Sequence, residues 1–159
     1  QLTDADIERD MLEALAHARS MPQVGATAGI TGFCIGGRIA YLLAAKTEEF
    51  GACAVFYGTD IAKAWGDGPT PLSLTPYLDC ALAGFFGNDD TNPSPADVDT
   101  LDAELDKHGK SHAFHRYDGA PHAFNDPFNP IRHHPEASAD SWPKLVDFFD
   151  AALKATATA

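Results

Sequence analysis

Basic residues are scarce in this chain. Only 11 Lys and Arg stand against 23 Asp and Glu among 159 residues, a formal charge of −12. Nucleic acids and anionic membrane surfaces are gripped by clustered Lys and Arg, so the balance argues against both as partners. No apolar run approaches the roughly 18 residues that span a bilayer. No basic, apolar, small-residue leader is read at the start of the sequence. Cysteine is sparse: Cys34, Cys53 and Cys80 are an odd set without paired spacing. Disulfides are therefore not expected, and Cys53 and Cys80, in apolar runs, read as core residues. The sparse, unpaired cysteines make a reducing cytoplasm the expected setting. His112, His115, His133 and His134 lack the H-x-H or carboxylate spacing of a metal site and read as solvated surface groups. No metal and no organic cofactor is expected. There is no internal repeat, and low complexity is confined to the Ala/Thr tail after Lys154.

What is present suits one domain over residues 1–159, with 45% hydrophobic residues to build a core. Thr3-Asp4-Ala5-Asp6 reads as a capping box opening a helix over 4–19, with Ile7, Met11, Leu12, Leu15 and Ala18 as its apolar stripe. The apolar run from Ala26 predicts a strand over 27–33, followed by a helix over 36–46. Further buried strands are expected over 52–57 and 80–86, with a Gly- and Pro-rich loop over 59–76 between them. Ser94-Pro95-Ala96-Asp97 is a second capping box, and the helix it opens ends at Gly109. The acidic run from Asp97 to Asp106 reads as that helix's solvated face. A more polar strand over 113–117 belongs near a sheet edge, and a last helix covers 138–154, with Pro143 tolerable only in its first turn. Apolar strands alternating with helices predict an α/β fold: a mostly parallel sheet with helices on both faces.

In such sheets chemistry collects at the carboxyl ends of the strands. Three loops fall there. The first is Gly32-Phe33-Cys34-Ile35-Gly36-Gly37, a strand-to-helix turn with a reactive residue between glycines, the pattern of a nucleophile elbow with cysteine in place of serine. The helix that follows points its positive end at the sulfur, which suits a thiolate. The bland alternative is Cys34 as a small buried apolar residue. The second loop is Gly87-Asn88-Asp89-Asp90. The third is Tyr117-Asp118-Gly119-Ala120-Pro121-His122-Ala123-Phe124. Nucleophile, acid and histidine come in the chain order of an α/β-hydrolase. Cys34 would attack an acyl carbon, His122 would move the proton, and a carboxylate would orient the imidazole. The backbone N–H of Ile35 would donate to the oxyanion.

These loops resemble the dienelactone hydrolases (carboxymethylenebutenolidases) in an elbow of the form G-[YF]-C-x-G-G, a G-x-x-D acid loop and a [YP]-x-G-A-x-H-x-F histidine loop. Phe56-Tyr57-Gly58 is also similar to the family. The resemblance extends from about Leu2 to Leu153. It implies an α/β-hydrolase fold, a Cys34-His122-Asp90 triad, and hydrolysis of small-molecule esters or lactones through an acyl-thioester. Tyr57 and Phe124 are the implied substrate-binding residues. The chain looks like the C-terminal two-thirds of a member, so the upstream strands, a second oxyanion donor and a glutamate that pairs with the cysteine region are expected outside it. Pro121 stands where glycine is usual before the histidine. Asp126 stands where members acting on dienelactone carry an arginine, which argues against that anionic lactone. Two rival readings follow from the same residues. One is a cysteine amidotransferase-like or glyoxalase-type enzyme, which also carries cysteine on an elbow. The other is an inactive hydrolase fragment serving as a binding partner.

Overall fold

The computed structural model describes residues 2–25 and 27–156. Ala26, where the apolar run begins, and the end of the Ala/Thr tail lie outside the described residues. The elements are α1 (Asp4–Arg19), β1 (Ala28–Phe33), α2 (Ile35–Lys46), β2 (Phe50–Phe56), a 3-10 helix (Pro71–Tyr77), β3 (Ala81–Gly87), α3 (Pro95–Lys107), β4 (His112–Tyr117) and α4 (Pro135–Thr156). The four strands form one sheet in the order β1-β2-β3-β4. Every neighbouring pair is parallel. This is an α/β-hydrolase fold, and no described helix is long and apolar enough to cross a membrane.

Successive residues of β2 serve opposite faces, as strand geometry requires. Cys53 and Val55 pack with Tyr41 and Leu43 of α2 and Val98, Leu101 and Leu105 of α3. Ala54 and Phe56 pack on the other side with Phe85, Phe124, Ala137 and Leu145 of α4. The sheet is thus covered on both faces, and the polar β4 lies at its edge as its sequence suggested.

Several local expectations need correction. The apolar stripe of α1 is only partly covered: Ile7 is buried, whereas Met11 is 38% exposed. What anchors α1 is polar. Asp4, in its first turn, forks onto the fully buried Arg38 of α2 at 2.6 and 3.0 Å. Arg38 also donates to the carbonyls of Asp60 and Lys63 and lies 4.1 Å over the Trp65 ring. Burial alone would push the Asp4 carboxyl up, but Arg38 and the Trp65 N–H outweigh it and hold it below the usual range.

The loop over 59–76 contains the start of the 3-10 helix, whose cap is the Thr70 hydroxyl, accepting from the Ser73 N–H. Helix α4 begins at Pro135 and carries Pro143 in its interior, not its first turn. Its start escaped the sequence because His134 is an unusual cap: Nδ1 accepts from the Ala137 N–H at 3.2 Å. Pro143 is exposed, as is Ala139, whose carbonyl loses its helical donor.

Nor are the histidines simply solvated. His112 is held between Asp102 and the Lys110 carbonyl, each at 2.9 Å. His115 stacks on Phe85.

Candidate active site

Cys34 sits where β1 meets α2, with φ 56° and ψ −121°, a conformation L-residues rarely adopt. Main-chain bonds hold it there. The Cys34 N–H donates to the Phe56 carbonyl at 3.0 Å, and its own carbonyl accepts from Gly37, Arg38 and Thr59. Gly32 is needed because a Cβ there would collide with the Gly36 carbonyl; Gly36 itself has open space. Strain of this kind persists only when the surroundings over-determine it. Two more non-glycine residues with positive φ lie nearby, Tyr57 at 37° and Ala123 at 61°.

The acid and histidine loops are pressed together at the ends of β3 and β4. Gly87 approaches the Ala120 carbonyl so closely that a Cβ would strike it. The Asn88 N–H donates to the Tyr117 carbonyl at 2.8 Å and the Asp89 N–H to the Ala120 carbonyl at 3.1 Å. Asp90 is buried, and its Oδ1 accepts from the Asn92 N–H at 2.9 Å. Its Oδ2 lies 2.8 Å from His122 Nδ1. A carboxylate can only accept, so the shared proton belongs to Nδ1 and Nε2 is left free as the basic atom.

The hydrogen bond with Asp90 raises the His122 pKa; partial burial opposes it, and the nearby Cys34 thiol adds to the rise. Cys34, His122 and Asp90 are therefore brought together. Asp89 is exposed and takes part through its main chain. Ile35 is the first residue of α2, where a helix N–H has no preceding helical carbonyl to meet, so it is available beside the sulfur.

Tyr57 and Phe124 do not lie on an open surface. Tyr57 is 4% exposed and Phe124 is 0% exposed. Tyr57 meets the His122 ring edge-on at 5.1 Å and Phe124 at 5.2 Å. Burial pushes the Tyr57 hydroxyl pKa up, with Cys34 adding to the rise. As placed, both rings support the histidine loop from beneath. The aromatics that do reach the surface by the elbow are Phe33 and Trp142, 6.0 Å apart. Phe33 was visible beside Cys34 in the elbow, whereas nothing in the sequence set Trp142 apart from the core stripe of α4. Trp65 is engaged with Arg38.

A cavity of about 380 Å³ lies against the segment that follows the acid loop, lined by residues that include Ile61, Leu72, Phe86, Asn92, Val98 and Leu101; Cys34, Asp90 and His122 do not line it.

The model of the dienelactone hydrolase family matches residues 1–153. The chain is 35% identical over 159 residues to "Putative carboxymethylenebutenolidase" of Synechocystis sp., an alignment covering 97% of this chain and 63% of that protein. It is 30% identical to the protein of the same description from Methylorubrum extorquens, covering 94% of this chain and 52% of the relative. The crystal structure of "Putative Dienelactone Hydrolase from Klebsiella pneumoniae subsp. pneumoniae MGH 78578" superposes with a TM-score of 0.87 at 26% identity, over 94% of this chain and 62% of that one. The chain thus spans between about half and two-thirds of the length of these relatives. A family match along nearly its whole length, with the elbow and both loops in place, means that the chain belongs to the dienelactone hydrolase family.

Proposed function

We propose that the chain carries the nucleophilic half of a carboxylic-ester or lactone hydrolase, with Cys34 as nucleophile, His122 as base and acid, and Asp90 as the group that orients His122. The observation that carries this reading is the 2.8 Å Asp90–His122 bond set beside a cysteine at a strained elbow. His122 Nε2 takes the thiol proton and Cys34 Sγ attacks the carbonyl carbon. The oxyanion that forms is met by the Ile35 N–H. As the C–O bond breaks, His122 returns the proton to the leaving alkoxide and a thioester remains on Cys34. Water, deprotonated by His122, then attacks the thioester and releases the acid and the thiol.

The substrate is a small-molecule ester or lactone, and no step needs a metal or an organic cofactor. A mechanism that works through a free thiol suits a reducing cytoplasm.

The test is hydrolysis of p-nitrophenyl acetate. Turnover should vanish in Cys34→Ala and His122→Ala while the fold, followed by circular dichroism, is kept. Turnover that survives Cys34→Ala would remove the thiol from the mechanism.

A further inference from the structure

The acid and histidine loops leave neighbouring strands, and the 2.8 Å contact between Asp90 and His122 needs their relative position fixed to a fraction of an ångström. One side chain outside the three reacting loop residues touches both loops. Asn88 stands two residues before Asp90. Its Oδ1 accepts from Arg116 Nε of β4 at 3.0 Å, and its Nδ2 donates to Asp118 Oδ1 at 2.5 Å. Arg116 in turn pairs with Asp99 and donates to the Pro95 carbonyl at 3.4 Å, both in the opening turns of α3. The guanidinium therefore grips both ends of the segment that carries Asp90: Asn88 where it leaves β3, and Pro95 and Asp99 where α3 begins. Asp118, on the other side of the Asn88 amide, stands four residues before His122.

The chemistry of this bridge is specific. A guanidinium only donates and a carboxylate only accepts, so the residue between them must accept at one end and donate at the other. A side-chain amide does both and adds no charge. The same requirement settles which end of the Asn88 amide is oxygen.

We propose that Asn88 is a positioning residue: its amide ties the Asp90 loop, through Arg116 and Asp118, to the strand end and loop that carry His122, and so keeps the carboxylate in line with the imidazole. It touches no reacting atom. The bridge is partly exposed and its contribution to global stability is small. Its effect is on alignment, added to the main-chain bonds of Asn88 and Asp89 that already join the loops. The proposal rests on Asp90 and His122 working as a pair, as proposed above.

The test reads His122 directly, by titrating its imidazole in the NMR spectrum of the 159-residue chain, alongside p-nitrophenyl acetate kinetics. Asn88→Ala changes no charge. With a looser Asp90–His122 bond, the His122 midpoint should fall toward the ordinary imidazole value, because that bond is the main cause of its rise. Turnover should fall on the order of tenfold in kcat, less than the ~10²-fold of a 1 Å misplacement. KM should stay within about twofold.

The exchange variant Asn88→Asp with Asp118→Asn keeps the side-chain sizes and the net charge and remakes both contacts, the one between positions 88 and 118 with its donor and acceptor exchanged. It should restore both readouts. An unmoved His122 midpoint in Asn88→Ala, or an exchange variant that fails to restore it, would overturn the proposal. A chain with no esterase activity in which the midpoint moves as described would count against the proposed function and leave the positioning role standing.

Discussion

Cys34 differs from the other two cysteines in where it sits. Cys53 is fully buried in β2, and burial pushes its thiol well above the usual range. Cys80 is half-buried before β3, and burial pushes it up to about 11. Cys34 lies at the mouth of α2 with a histidine in reach. Iodoacetamide near neutral pH should therefore label Cys34 well before Cys80, and Cys53 only on unfolding. Peptide mapping reads the order, and labelling of Cys80 first would contradict it. The two neighbouring acids separate in the same way. Asp90→Asn should cost on the order of 10²- to 10⁴-fold in kcat, by analogy with a serine triad. Asp89→Asn should cost far less, since Asp89 joins the site through its main-chain N–H. Comparable losses in the two variants would mean that Asp90 has no special place. The resemblance through the G-x-x-D loop picked out Asp90, the acid that hydrogen-bonds with His122. The Asn88 bridge was not legible in the sequence, because its meaning depends on Arg116 and Asp118, 28 and 30 residues away.

Among the elements, the helix after the elbow is held by a pair that sequence reading passed over. Arg38, early in α2, is fully buried and meets Asp4 from α1. Arg38→Met leaves the Asp4 carboxylate buried without its partner and should cost about 3–5 kcal/mol in denaturant unfolding. Adding Asp4→Leu should recover much of that loss, because two apolar groups replace two charges. A double variant less stable than Arg38→Met alone would contradict this account.

At the β4 end, His112 shows a different dependence. Burial opposes its charged form, but the Lys110 carbonyl and Asp102 outweigh that and raise its pKa. A raised folded pKa stabilises the fold fully below the unfolded value, and this contribution is lost as pH rises through the folded one. The thermal stability gap between the natural chain and Asp102→Asn should therefore be widest at mildly acid pH and narrow above neutrality. A gap that widens with pH would reverse the assignment. The strands were legible because continuous apolar runs such as 53–57 and 81–86 have few other uses. The start of α4 was hidden by a histidine cap and the interior Pro143 by its exposure, neither of which follows from hydrophobic period.

At the scale of the molecule, four parallel strands set every reactive loop at one end of the sheet, and the chemistry follows from that placement. The outer side of β1 has no neighbouring strand among the described residues, and Phe33, at its end, and the neighbouring Trp142 are exposed. An uncovered edge with an apolar flank is a surface suited to pairing. The chain also spans only part of its relatives' length, so the rate it sustains alone is a separate matter from whether its thiol reacts. The most direct test of the central claim is therefore the covalent intermediate. The chain is mixed with p-nitrophenyl acetate, quenched in acid, and mapped by mass spectrometry. The account predicts one acetyl group, on Cys34, accumulating more slowly in His122→Ala. Acetyl groups on Cys80 or lysines with Cys34 unmodified, or equal labelling of Cys34 with and without His122, would contradict it.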